Sequence, residues 1–157
     1  MITAVQRVER ARVFVDGESV GEVSRGLLLF VGVERGDSTE DADETARKLL
    51  SMRVFPKDKP TDLSVRDIGG GCLVVSQFTL AAELQRGHRP DFTAAAHPDL
   101  ARPLYERVAA KLRAAGVAVA TGVFGASMQV ELINDGPMTY LLCVRGGKTR
   151  ARADYTA

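Results

Sequence analysis

The sequence predicts an α+β fold, a mostly antiparallel β-sheet or barrel with two helices packed outside it. Three observations carry that expectation. Short runs with β-type alternation or β-prone residues occupy both ends of the chain and its middle. Only two stretches, near 38–50 and 99–115, show apolar residues at helical spacing. No repeat, linker or shift of composition divides the chain, and 157 residues is one domain by length, enough to bury about two-thirds of its extended surface.

Residues 2–15 alternate loosely, with Ile2, Ala4, Gln6 and Val8 on one face and Val5 and Arg7 on the other. Asp16-Gly17 supplies a hairpin turn, since glycine tolerates the positive φ such turns require. Strands follow at about Ser19–Val23 and Leu27–Val33, which suggests an antiparallel meander. Ser38 then opens a helix as its cap, with Glu40, Asp41, Asp43 and Glu44 at the positive end of the dipole and Arg47 and Lys48 late in it. Ala42, Ala46, Leu49 and Leu50 form its buried stripe. The acidic start is explained by the dipole and is given no functional role.

A loop rich in lysine, proline and aspartate runs from Lys57 to about Val65. Gly69-Gly70-Gly71 leads into an apolar run, Leu73-Val74-Val75, that reads as a strand buried on both faces. No lysine and no helix follow the glycines, which excludes a P-loop and leaves a turn of close backbone approach. Glu83 to Phe92, with Arg86, His88 and Arg89, is the most basic part of the body and reads as an exposed loop. The second helix begins at about Asp99 or Pro103 and ends near Ala115, with Leu104, Val108 and Leu112 in register and Gly116 as its stop. Met128–Ile133 and Tyr140–Val144 read as two last strands around a connecting turn, Asn134-Asp135-Gly136-Pro137-Met138-Thr139. Residues 1–144 are thus expected as one domain. Residues 145–157 lack apolar periodicity and are expected as a basic, mobile tail.

Bulk properties exclude several classes. Two cysteines, Cys72 and Cys143, and two histidines, His88 and His97, lie far apart with no CxxC, so neither a disulfide framework nor a zinc site is indicated. The first residues lack a basic region followed by an apolar core, and the longest apolar run is far too short to span a bilayer. A cytoplasmic protein with no membrane association, no metal and no cofactor is expected. Arg145, Lys148, Arg150 and Arg152 against Asp154 give the tail a net charge of +3, leaving the body at −2 within a chain total of +1. Charge alone therefore points to no polyanionic partner.

Chemistry concentrates at Ser76-Gln77-Phe78-Thr79-Leu80. A buried strand that finishes in serine, glutamine and threonine has polar groups where core is expected, and each needs a partner or a ligand. Thr79 is the obvious nucleophile by type, yet its hydroxyl is weak without an adjacent base and none stands near it in sequence. A strand-end hydroxyl bonded to backbone is the plainer alternative. There is no GxSxG elbow and no cysteine–histidine neighbourhood, which disfavours a triad hydrolase. Free backbone N–H groups at Phe78 and Thr79 could instead hold an oxyanion.

SQFTL, NDGPMT and the opening Gln6-Arg7-Val8 together resemble the D-aminoacyl-tRNA deacylases, over about residues 1–144. The resemblance implies that family's fold and a homodimer with active sites at the subunit interface. It implies a hydrolase that frees D-amino acids from mischarged tRNA, and glycine from the wrong tRNA. Ser76, Gln77, Phe78 and Thr79 are implied to line the pocket for the ester and the terminal adenosine, with Phe124 and Met128 around the adenine. On spacing alone, Met128 shares a strand face with Val130 and Leu132 and reads equally well as core. Gly136 and Pro137 are implied to form a cis pair that reaches into the partner's site and rejects L-residues with its carbonyls, braced by Arg7. Without the resemblance, a cis bond before proline has a chance of only about one in twenty, and Arg7 reads as a surface strand arginine. His88 and Asp91 stand where methionine and serine are frequent in the family, and the tail is long. The rival expectations are a non-catalytic module that binds RNA 3′ ends and a structural β-rich dimer.

Overall fold

The computed structural model describes residues 1–85 and 87–151. Its strands are β1 (Ile2–Val15), β2 (Glu18–Val23), β3 (Gly26–Gly32), β4 (Gly71–Ser76), β5 (Ala118–Thr121), β6 (Gln129–Arg145) and β7 (Lys148–Arg150); its helices are α1 (Thr39–Ser51) and α2 (Pro98–Ala114). One seven-stranded sheet runs β5-β4-β3-β1-β6-β7, with β2 paired to β1 off that path. It curls into a half-barrel with both helices outside, as the α+β expectation has it.

The expected meander is corrected in detail. β3 turns back to pair with the first half of β1 (Ile2↔Gly32 to Val8↔Gly26), while β2 pairs with the second half. The pairings of β3 with β4 and of β4 with β5 are parallel, and α1 and α2 are the crossovers that parallel neighbours require. A parallel strand covered on both faces reads as a continuous apolar run, which is what Cys72–Val75 is. Gly26 shows why glycine precedes this strand. A Cβ there would lie 2.0 Å from the Gly71 carbonyl oxygen, so β3 and β4 can start side by side only if Gly26 has no side chain.

Two cores result. Between sheet and helices lie Val5, Leu27, Leu29, Val31, Leu49, Val74, Leu104, Val108 and Leu112. Within the curl lie Val8, Ala11, Val13, Leu28, Leu73 and Val75. α1 starts as expected at Ser38, whose backbone N–H and hydroxyl both donate to Asp41 Oδ2 (2.8 and 3.1 Å). α2 starts one residue earlier than expected. His97 is its cap, its Nδ1 accepting from the Asp99 N–H at 3.4 Å, which gives this histidine a structural task.

The tail expectation is also revised. β6 continues through Arg145, and Gly146-Gly147, both at positive φ, turn the chain so that β7 pairs back on it. The hairpin is pinned to α1 and its approach. Arg145 lies 3.3 Å from Glu34 and 3.4 Å from Asp37, the Gly147 N–H donates to Asp41 (2.9 Å), and the Thr149 hydroxyl donates to Glu44 (2.9 Å). Polar anchoring of this kind leaves no apolar periodicity for a sequence reading to find. The expected mobility of the last residues, and Arg86 of the basic loop, lie outside the described residues.

Candidate functional site

β4 stops at Ser76, where the Gln77 N–H donates to the Val31 carbonyl (2.8 Å), the last rung tying this strand end to β3. The strand does not extend through Thr79, as the sequence suggested. Phe78–Ala81 instead form a single 3-10 turn whose first internal donor is Leu80, to Gln77 O. Among the described residues, the N–H groups of Phe78 and Thr79 donate to no backbone carbonyl. The Phe78 ring is 57% exposed and meets Phe92 edge-on at 5.1 Å. The Gln77 amide nitrogen donates to the Thr79 hydroxyl. An amide cannot accept a proton at neutral pH, so this contact aims the hydroxyl without activating it.

A cavity of about 470 Å³ opens at this strand end, and Ser76, Gln77 and Phe78 line it. Phe124 and Met128 line it as well, so the fold brings together five of the residues singled out in the sequence, from segments about fifty positions apart. Thr79 is adjacent but is not among the lining residues. The rest of the wall is mostly apolar or small and includes Val31, Val33, Val75, Ala96, Ala101 and Tyr105. Tyr105 is the member that sequence reasoning missed. Its hydroxyl donates to the Val74 carbonyl at 2.8 Å, and burial pushes its pKa up to about 12, so it stays neutral. A tyrosine set one place after Leu104 within the apolar stripe of α2 was the available signal, because a buried phenol needs a partner.

Asp135–Met138 do not form a turn between two strands. They are a bulge within one continuous strand: Gln6 pairs with Thr139 and Val8 with Asn134, so four residues of β6 face Arg7 alone. The Gly136–Pro137 peptide bond is cis. Both residues are exposed, and neither lines the 470 Å³ cavity of its own chain. Arg7 is no surface arginine, with 6% of its area exposed. Its Nη2 donates to Asp135 Oδ1 at 3.0 Å, its Nε sits at ion-pair distance from Oδ2 (2.8 Å) without hydrogen-bond alignment, and its Nη1 donates to the Val54 carbonyl.

Other chemistries find little support. Cys72 is buried, and burial pushes its thiol up to about 12, leaving negligible thiolate. His88 is exposed, and among the described residues no group of acidic, histidine or cysteine side chains is arranged to hold a metal. A larger groove, about 990 Å³, lies between β1, β2 and β6 around Arg10, Arg12, Glu22 and Glu131. It contains none of the motif residues, and we place the chemistry in the smaller cavity for that reason.

Fold and site together define a class: a half-barrel α+β protein with a largely apolar cavity of about 470 Å³ at a strand end that carries hydrogen-bond donors. Comparison with known proteins narrows the class. A family model for D-Tyr-tRNA(Tyr) deacylase matches residues 4–143, and this chain belongs to that family. The D-aminoacyl-tRNA deacylase of Alcanivorax borkumensis is 49% identical over 143 residues, covering 90% of this chain and 99% of that protein. That of Chloroflexus aurantiacus is 50% identical, over 90% and 89% of the two chains. Among solved structures, one described as a c-Myc DNA unwinding element binding protein has a TM-score of 0.87 at 36% identity, covering 93% of this chain and all of that one. A probable eukaryotic D-amino acid tRNA deacylase shares the fold, with a TM-score of 0.76 at 18% identity over 89% and 97% of the chains.

Proposed function

We propose that the chain is a D-aminoacyl-tRNA deacylase, a hydrolase of ester bonds that releases a free D-amino acid and tRNA and also acts on glycine attached to non-cognate tRNA. The observation that carries the proposal is the convergence of Ser76, Gln77 and Phe78 with Phe124 and Met128 on one cavity of about 470 Å³, ample for an adenosine and its ester. The adenine sits among Phe124, Met128 and Tyr105, where an aromatic face offers stacking to an unpaired base. The ester carbonyl lies at the strand end, its oxygen toward the N–H groups of Phe78 and Thr79.

An aminoacyl ester is activated, and the ribose carries a vicinal 2′-hydroxyl beside the bond. Water adds to the carbonyl and the resulting oxyanion is held by the two N–H groups. The 2′-hydroxyl relays a proton, and the ribose 3′-oxygen departs protonated. Little side-chain chemistry is then needed, and positioning does most of the work. Thr79, held by Gln77, assists by hydrogen bonding and forms no acyl intermediate. Near-normal turnover by Thr79→Ala is the expected result, and a trapped threonyl ester would refute it.

Handedness is judged by main chain. Gly136 and Pro137 stand clear of their own cavity, which suits a pair that enters the site of a second copy and presents carbonyls to the substrate's α-carbon. A D-residue or glycine has hydrogen there, whereas an L side chain collides. The protein on this reading is a homodimer. The exposed Leu132, Ile133 and Leu141 on the bulged strand suit such an interface. Full activity at dilutions that leave only monomers would contradict it. No described helix is long and apolar enough to cross a membrane, and a cytoplasmic location fits a tRNA substrate.

The deciding assay compares release of D- and L-tyrosine from one tRNA, with and without Pro137→Ala. Fast D release with L spared, and discrimination eroded by the substitution, is expected; equal cleavage of the two forms by the unaltered protein overturns the proposal. The second reading, a module that binds RNA 3′ ends without hydrolysis, rests on the same cavity and on its lack of a base. It predicts tight binding of charged tRNA that stays charged.

A further inference from the structure

Among the described residues, the adenosine cavity has no lysine or arginine in its lining. A terminal nucleoside seated there still carries, on its 5′ side, the phosphate that joins it to the rest of a strand. With a body of net charge −2, the receptor for that phosphate is expected locally. A second groove of about 210 Å³ shares Tyr105 and Phe124 with the cavity, so the two are neighbours. It is lined on the α2 side by Arg102, Glu106 and Arg113.

The cations of α2 divide into two sets. Arg107 and Lys111 turn toward α1 and share Asp43 as ion-pair partner, at 2.7 and 3.2 Å. Arg102 and Arg113 turn to the groove, and among the described residues neither has a carboxylate at ion-pair distance. Arg102 lies over the Phe124 ring, 5.0 Å from its centroid, and Arg113 reaches the Val119 carbonyl at 3.4 Å. A guanidinium held against the ring keeps N–H donors for an anion, and its fork suits phosphate oxygens. Glu106 in the same groove opposes this attraction.

We infer that the Arg102–Arg113 groove is a phosphate subsite that takes the phosphodiester preceding the terminal adenosine of the substrate strand, so that Phe124 serves the base on one side and seats the phosphate-binding arginine on the other. The inference takes its occupant from the deacylase reading above. The groove makes Arg102 a binding residue with no part in the chemical step, and one whose contribution depends on salt.

The test pairs two substrates, D-tyrosyl-tRNA and 3′-O-D-tyrosyl-adenosine, the second having no phosphate. Arg102→Gln is expected to lower kcat/KM on the tRNA by roughly tenfold, chiefly through KM, and to flatten its dependence on salt concentration by about 0.7 in log–log slope. Cleavage of the adenosine ester should be unchanged, Arg113→Gln should act in the same direction, and Glu106→Gln should improve the tRNA reaction. Equal losses on both substrates would reduce Arg102 to a prop for Phe124, and no loss on either would leave the groove without this role. Both outcomes overturn the inference. Equilibrium binding of an uncharged CCA trinucleotide separates it from the parent reading. Arg102-dependent binding by a protein that cleaves neither ester sinks the deacylase and keeps the subsite, whereas cleavage of both with binding indifferent to Arg102 does the reverse.

Discussion

Replacing Arg7 with methionine keeps most of the side-chain volume and removes the charge that faces the Asp135–Met138 bulge. The guanidinium is 7% exposed and its partner, the Asp135 carboxylate, 31% exposed. Breaking a fully buried ion pair by removing one partner costs about 3–5 kcal/mol, because the other charge is stranded. Solvent reaches Asp135, so the ionic share here is smaller, about 2–3 kcal/mol. The Val54 carbonyl also loses the donor from Arg7, which adds about 1 kcal/mol. A total of about 3–4 kcal/mol corresponds to a drop of about 10 °C in the thermal midpoint for a domain of this size. Calorimetry on Arg7→Met, Asp135→Asn and the double variant measures the pair directly. The coupling energy should exceed about 1 kcal/mol, as expected of residues in contact. In the same variants the ratio of D- to L-tyrosyl-tRNA cleavage should fall, because the four-residue bulge has lost the charged brace that Arg7 supplies. A coupling near zero, or an unchanged midpoint in Arg7→Met, would refute the reasoning.

Three further outcomes are expected. Phe124→Ala removes the ring shared by the cavity and the neighbouring groove; stacking is worth about 1–3 kcal/mol per base, so KM for the charged tRNA should rise by about tenfold or more, and an unchanged KM would move the adenine elsewhere. Gly26→Ala places a methyl 2.0 Å from a backbone oxygen of β4, and parting two central strands should destabilise by more than about 3 kcal/mol; a midpoint within a few degrees of the unaltered protein would contradict the close approach. The C-terminal hairpin should be sensitive to acid. Burial pushes the Asp41 carboxyl up, but the Gly147 and Ser38 donors outweigh it and hold it below its ordinary value; Glu44 is drawn down to about 2, chiefly by Arg47, with Thr149 assisting. Carboxylates depressed by folding stabilise above their unfolded pKa values and lose that contribution as pH falls through the folded ones. The midpoint advantage of the full chain over one ending at Val144 should therefore be complete near neutrality and shrink from about pH 4.5 toward pH 2; a difference constant across that range would refute it.

Local pattern was enough for some features and not for others. The strand around Leu73-Val74-Val75, the two helices and the hairpin at Asp16-Gly17 follow from periodicity, capping and turn chemistry, which act over a few residues. Each of these lies close to where the sequence places it, with α2 starting one residue early. The polar strand end was also legible, since serine and glutamine after an apolar run demand an explanation wherever they occur. What periodicity cannot express is which strand lies beside which. β3 returning to β1, the parallel pairs of β4, and the cavity that joins Ser76 to Phe124 and Met128 depend on contacts between distant segments. Arg7 shows the limit most clearly: an arginine within an alternating strand reads as surface, and only the bulge opposite supplies the carboxylate that lets it be buried.

By itself, then, the sequence determined the two helices, the central strand and, through SQFTL and NDGPMT, the family. Tertiary structure alone decided that NDGPMT is a bulge inside a strand, that Tyr105 lines the cavity, and that Arg102 and Arg113 stand apart from the Asp43 pairing that holds Arg107 and Lys111. The physical reason is the same in each case. Secondary structure is set by bonds and rotamers near in the chain, whereas burial and charge pairing are set by whichever remote groups the fold brings within a few ångströms.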